Sequence, residues 1–276
     1  MASSAPHYKS GSNRRILTMD LGIRGKRALI TGGSRGLGRQ SALALANEGV
    51  DVAICARGKE TLDATVGEIS AIGVNAVGYA LDMGDPDAPD QAVEQMKADL
   101  GEPDIVVNNV GGSMGTSDVI NSSVEDFGMV IDLNLWSAIR LIKATLPGMQ
   151  ERGWGRIINI SSIYGREAGG TAPYMVAKAG MIALSKHAAL SSAPTGVTVN
   201  SVAPGSILFP GGTWERFQEI NTQEFVDEFV ARNLPMGKFG WPEPVGATVA
   251  FLASKHADLI TGACINVDGG QSHNLF

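Results

Sequence analysis

RALITGGSRGLGRQSALALAN, residues 27–47, is the stretch whose reading decides the fold. Its first five residues form a short β-rich apolar run, and from about residue 36 the pattern becomes helical. Between the two lies TGGSRGLG, with Gly32, Gly36 and Gly38 spaced G-x-x-x-G-x-G. Glycine lets a backbone turn sharply and approach a ligand, and the helix N-terminus behind it favours a phosphate. Glycines alone occur in any turn. Set between a first strand and a first helix, they point to a dinucleotide-binding α/β fold.

The same alternation continues outward. Strands are expected at 27–31, 51–56, 75–80, 104–109, 155–161, 197–203 and 264–268. Helices are expected near 36–48, 60–72, 86–99, 123–151, 173–193, 213–232 and 243–254. Strands alternating with helices imply right-handed crossovers and a parallel sheet covered on both faces. The expected fold is a single doubly wound α/β domain of Rossmann type with a seven-stranded parallel sheet. It should occupy residues 23–276, after a flexible extension over 1–22 that is polar, small-residue-rich and basic. Met19 could serve as an alternative start. The longest departure is 204–242, where Pro and Gly flank a helical stretch carrying Trp214, Phe217, Phe225 and Phe229. Such an excursion suits a substrate lid.

Bulk properties exclude several classes. Hydrophobic residues make up 44% of the 276 and charged residues 18%, enough apolar material for a sizeable core. A net charge of −6 argues against a nucleic-acid partner. No apolar run is long enough for a membrane span, and the N-terminus lacks the apolar middle of a signal peptide. The two cysteines, Cys55 and Cys264, sit in apolar runs and read as buried thiols of a reducing compartment. A cytoplasmic protein is the default. The four histidines are scattered without ligand spacing, so no metal is expected.

Two local patterns carry chemistry. The second strand ends CAR, with Arg57 where a cofactor selective for ribose hydroxyls would want an acid. Arg35 in the glycine loop is a second cation, and two guanidinium groups suit a 2′-phosphate, so NADP(H) is expected. Tyr174 and Lys178 lie four residues apart near the start of a helix and so share a face. An ammonium beside a phenol would draw its pKa down from about 10 toward neutrality.

Together these pieces resemble the short-chain dehydrogenase/reductase family, and in general wording its 3-oxoacyl-carrier-protein reductases. The matching motifs are TGGSRGLG (31–38), Asp82–Met83, NNVG (108–111), Asn134 in LNLW, NISS (159–162), YMVAK (174–178), PG (204–205) and VDGG (267–270). The resemblance implies that Tyr174 exchanges a proton with the substrate oxygen. Ser162 would hydrogen-bond that oxygen, and Lys178 would hold the nicotinamide ribose and lower the Tyr174 pKa. Asn134 would hold a water linking Lys178 to solvent. Around the cofactor it implies contacts from Gly32, Ser34, Arg35, Gly36, Leu37 and Gly38 in the glycine loop, and from Arg57. Asp82 and Met83 would bracket the adenine, Asn109 would lie along the cofactor, and Pro204, Gly205 and Ile207 would border the nicotinamide. A homotetramer or homodimer, built on the long helices near 123–151 and 173–193, is also implied.

The chain departs from the family pattern in three places. Val110 stands in NNVG where Ala is commoner. The interval from Ser162 to Tyr174 is one residue short. Phe209 occupies a position that is often threonine, with Thr213 as a possible substitute hydroxyl. The leading expectation is hydride transfer between NADP(H) and a small-molecule carbonyl or secondary alcohol. A 3-oxoacyl-thioester reductase is the alternative within enzymes, and a non-catalytic NADP(H) sensor the alternative outside them.

Overall fold

The computed structural model describes residues 19–275. Most of the expected N-terminal extension therefore lies outside the described residues. Within them, Asp20 already pairs with Lys255 at 3.1 Å, and the Leu21 carbonyl accepts from the Lys255 N–H, so the packed chain begins before residue 23.

Seven strands form one parallel sheet: β1 (Arg27–Thr31), β2 (Asp51–Ala56), β3 (Ala76–Ala80), β4 (Ile105–Asn108), β5 (Gly155–Ile160), β6 (Val197–Pro204) and β7 (Cys264–Val267). Their spatial order is β3-β2-β1-β4-β5-β6-β7. Every expected strand is present with its ends within two residues. The runs IVVN, GRIINI and VTVNSVAP are wholly buried, as strands covered on two faces must be.

Side chains alternate across the sheet and feed two cores. On one face Ala28, Ile30, Val52 and Ile54 pack against α1 (Gly36–Asn47), α2 (Lys59–Ser70) and α9 (Pro242–Ala253). On the other, Leu29, Ala53, Val106 and Ile157 meet α3 (Ala88–Asp99), α5 (Ser137–Glu151) and α6 (Ala172–Ser192). A third, smaller cluster lies apart from both. It is built by α7 (Thr213–Ile220), α8 (Gln223–Asn233) and flanking residues.

Two departures from simple periodicity bear on function. The long helix expected over 123–151 is interrupted: α4 (Val124–Ile131) passes into a π-turn, Asp132–Trp136, before α5. One extra residue per turn re-aims the following side chains, and Asn134 is thereby turned fully inward. The helix expected over 213–232 is two, because the Thr222 hydroxyl accepts from Phe225 N–H at 3.3 Å and caps a fresh start.

A buried polar chain fixes α6 against the sheet. Asn108 Nδ2 donates to Asn159 Oδ1 at 2.7 Å, Asn159 Nδ2 to Ser185 Oγ at 2.7 Å, and Ser201 Oγ to Ser185 Oγ at 2.8 Å. Three strands and one helix thus share hydrogen bonds that none could replace with water. The register they impose decides where Tyr174 and Lys178 come to rest.

Candidate active site

At the carboxyl ends of β1 and β4 the crossovers leave in opposite directions, and a crevice opens, as it does in open α/β sheets generally. A cleft of about 560 Å³ occupies it. Its wall brings together Gly32, Ser34, Arg35, Leu37, Arg57, Asp82, Met83, Asn109, Ser162, Tyr174, Lys178, Pro204, Gly205 and Ile207. Residues separated by up to 175 positions in the sequence therefore meet at one place, the distance from Gly32 to Ile207 (207 − 32).

Three of the expected site residues do not line it. Gly38 sits behind the wall, where a Cβ would collide with the Gly32 carbonyl and the Asn109 side chain. Gly36 is covered by the Phe209 ring, 2.6 Å from where a Cβ would be. Asn134 is fully buried, and its amide is spent on backbone: Nδ2 donates to Gly112 O at 2.9 Å and Val130 O at 2.8 Å, and Oδ1 accepts from Gly112 N at 3.1 Å.

The sequence reading missed Gly111 as a site residue. A Cβ there would collide with Asn134 Oδ1 and lie 2.9 Å from Lys178 Nζ. Only glycine lets those two groups converge. The NNVG motif contains this residue, but nothing in the sequence says what approaches it. Thr61 and Gly58, at the start of α2, also line the cleft near Arg57 and were not anticipated.

Tyr174 and Lys178 share a face of α6, as their spacing dictates, with Nζ 5.5 Å from the ring centre. Lys178 is 2% exposed and donates to the Ile160 carbonyl at 2.9 Å. Burial pulls its ammonium down to about 7. The Tyr174 phenol is pushed up to about 12, chiefly by burial, partly offset by a hydrogen bond from Ser162. Lys178, expected to lower Tyr174, is not among the causes of that shift, in which loss of water is the largest. Ser162 is buried at the head of a short 3₁₀ turn, its Oγ accepting from Tyr164 N–H at 3.2 Å. Ser161 points the other way, donating to the Lys178 carbonyl at 3.0 Å.

The adenosine end has a different character. Arg57 is largely exposed and lies 3.8 Å from the Asp82 carboxylate. Arg35 is exposed as well, with Nη1 donating to Gly211 O at 3.3 Å. At α1 the N-cap Arg35 contributes no side-chain cap to the first-turn N–H groups. Close-approach glycines, an uncapped helix start and two arginines fit a phosphorylated dinucleotide. Among the described residues no group of three or more His, Cys, Asp or Glu could hold a metal ion. Nor is any helix there long and apolar enough to cross a membrane.

Fold and cleft together define a doubly wound α/β scaffold of the dinucleotide-binding type, and comparison with known proteins gives the family. A family model described as enoyl-(acyl carrier protein) reductase matches residues 32–272. The 3-oxoacyl-[acyl-carrier-protein] reductase of Staphylococcus aureus is 37% identical, over 89% of this chain and 98% of its own. Cyclohexanol dehydrogenase of Rhodococcus sp. is 33% identical, over 94% and 100%. L-sorbose reductase of Gluconobacter frateurii, solved with NADPH and L-sorbose, superposes with a TM-score of 0.87 at 30% identity, over 93% and 100%. The chain belongs to the short-chain dehydrogenase/reductase family of oxidoreductases, as the motifs implied.

Burial of Lys178 predicts a pH dependence of stability. Its ordinary value is 10.5 and its folded value about 7, so between these the unfolded chain binds a proton that the folded one does not. Stability from this group therefore rises with pH across that window and is lost as pH falls through 7. Urea unfolding of Lys178→Met should show a smaller rise between pH 7 and 10 than the unaltered protein. Parallel profiles would show that the ammonium is solvated in the folded state.

Proposed function

We propose that this protein transfers a hydride between NADP(H) and the carbonyl or secondary alcohol carbon of a small molecule. The observation that carries the reading is the convergence of Tyr174 and Ser162 on a cleft that also contains the glycine loop, with Lys178 beneath them. When bound, the nicotinamide supplies or accepts the hydride at the reacting carbon. The protein's part concerns the oxygen. Tyr174 delivers the proton, and Ser162 donates a hydrogen bond to the oxygen as its negative charge develops. Lys178 hydrogen-bonds the nicotinamide ribose, and Asn134 holds the 111–112 backbone that shapes its pocket. Asn109, Pro204, Gly205 and Ile207 border the cofactor, and Asp82 and Met83 flank the adenine.

Arg57 and Arg35 receive the 2′-phosphate. The NADPH complex of the sorbose reductase supports this choice. Residues 204–242 act as the substrate lid, with Trp214 its one aromatic from α7 or α8 that lines the cleft. The other lid aromatics pack on one another: Phe217 lies 5.0 Å from Phe229 and 6.0 Å from Phe225. The S. aureus relative favours a second reading, reduction of a 3-oxoacyl thioester. Exposed Glu219, Glu224, Asp227 and Glu228 on α7 and α8, against Arg216 and Arg232, would repel an acidic carrier protein and favour a free substrate. A cytoplasmic homotetramer or homodimer is proposed, paired through α4, α5 and α6, where Met129, Trp136 and Val176 are exposed.

Three measurements test the proposal. Tyr174→Phe should keep NADPH binding while turnover on a ketone panel falls roughly 10²–10⁴-fold, the range of lost acid–base catalysis. Retained turnover would show another proton source. Arg57→Asp should weaken NADPH far more than NADH, and equal affinities of the unaltered protein for the two cofactors would sink the preference. Light scattering at micromolar concentration should return a dimer or tetramer mass, and a monomer mass would refute the assembly.

A further inference from the structure

Phe209 lines the cleft beside the glycine loop it packs on. Three of its ring atoms lie 2.6–2.8 Å from the point where a Cβ on Gly36 would stand, so the ring rests on the first turn of α1. That is the turn whose N–H groups would meet the diphosphate. Three hydrogen bonds close the turn behind the ring in this position. Gly212 N–H donates to Phe209 O at 3.0 Å, Gly211 N–H to Glu215 Oε2 at 2.6 Å, and Arg35 Nη1 to Gly211 O at 3.3 Å. Just after Ile207 the excursion is pinned to its own far end, Leu208 N–H donating to Gly240 O at 2.9 Å. The ring is not part of the aromatic cluster of α7 and α8. It stands half-buried on the glycine loop, and the turn that carries it contains two glycines.

We propose that Phe209 gates cofactor exchange by covering the first turn of α1, so that the dinucleotide enters and leaves only when turn 209–212 lifts. This rests on the NADP(H) reading of the cleft. A gate raises the barrier in both directions without favouring either state. Stopped-flow fluorescence with NADPH should show association and dissociation rate constants in Phe209→Ala both rising about tenfold, with Kd changing less than about threefold. Phe209→Leu, which keeps apolar bulk, should fall between, and circular dichroism should show both variants folded. Unchanged rate constants would overturn the gate. A rise confined to dissociation would overturn it too, marking the ring as a contact of the bound cofactor instead. A parent protein that binds neither NADPH nor NADH would remove the cofactor reading itself, an outcome distinguishable from failure of the gate alone.

Discussion

The join between the ends of β1 and β4 holds the site open. Asn109 Nδ2 donates to Thr31 O at 2.9 Å and Gly32 O at 3.1 Å, while Asn109 N–H and Val110 N–H both donate to Thr31 Oγ1, at 2.9 and 3.0 Å. Here the crossovers diverge, and neighbouring strands stop covering each other's ends. Without such bonds the glycine loop would have no fixed floor. Each bond adds only about 1 kcal/mol net, but leaving these groups buried and unpaired would cost more. The clamp therefore acts mainly by forbidding alternatives. It fixes where the backbone turns from strand to loop, and so where α1 begins.

The opposite wall of the cleft is fixed from below. The chain Asn108–Asn159–Ser185–Ser201 runs from β4 to β6 and holds α6 at one register. Lys178 lies two turns before Ser185 on that helix, and its Nζ reaches the Ile160 carbonyl. A polar chain in a dry interior is worth more as a specifier of position than as a source of stability. Loss of water then acts on both groups in opposite senses, lifting Tyr174 to about 12 and lowering Lys178 to about 7. Burial thus disfavours the charged form of each group.

Much of this was legible in the sequence, for physical reasons. The strands are buried on both faces, so they stand out as apolar runs, and each glycine of TGGSRGLG marks a position that a larger side chain could not occupy. The spacing of Tyr174 and Lys178 gave a shared helical face, but it carried no information on how dry that face would be, and burial is the largest cause of shift at both groups. The π-turn at Asp132–Trp136 was invisible because one inserted residue barely disturbs a 3.6-residue pattern, yet it decides that Asn134 faces inward. Gly111 was silent for a related reason: its meaning lies in Asn134 and Lys178, 23 and 67 positions away (134 − 111 and 178 − 111).

The excursion 204–242 carries its own small apolar cluster and is joined to the sheet at a narrow base. Trp214, Phe217, Phe229 and Phe239 pack together with Val226 and Leu234 in a cluster separate from both sheet cores. An aromatic stripe in the sequence could have faced the substrate or its own helix partner, and periodicity cannot distinguish them. Here the stripe packs on itself, so most of its apolar surface is covered within the excursion. Its attachment is narrow. Ile207 and Gly240 form an isolated bridge, and Gln271 grips Ser206 beneath it, Oε1 accepting from the N–H at 2.7 Å and Nε2 donating to Oγ at 2.9 Å. Gln271 is 7% exposed and Ser206 4%, so this grip is shielded from water while α7 and α8 remain largely solvated. The bridge and the Gln271 grip together fix Ile207 in the cleft wall.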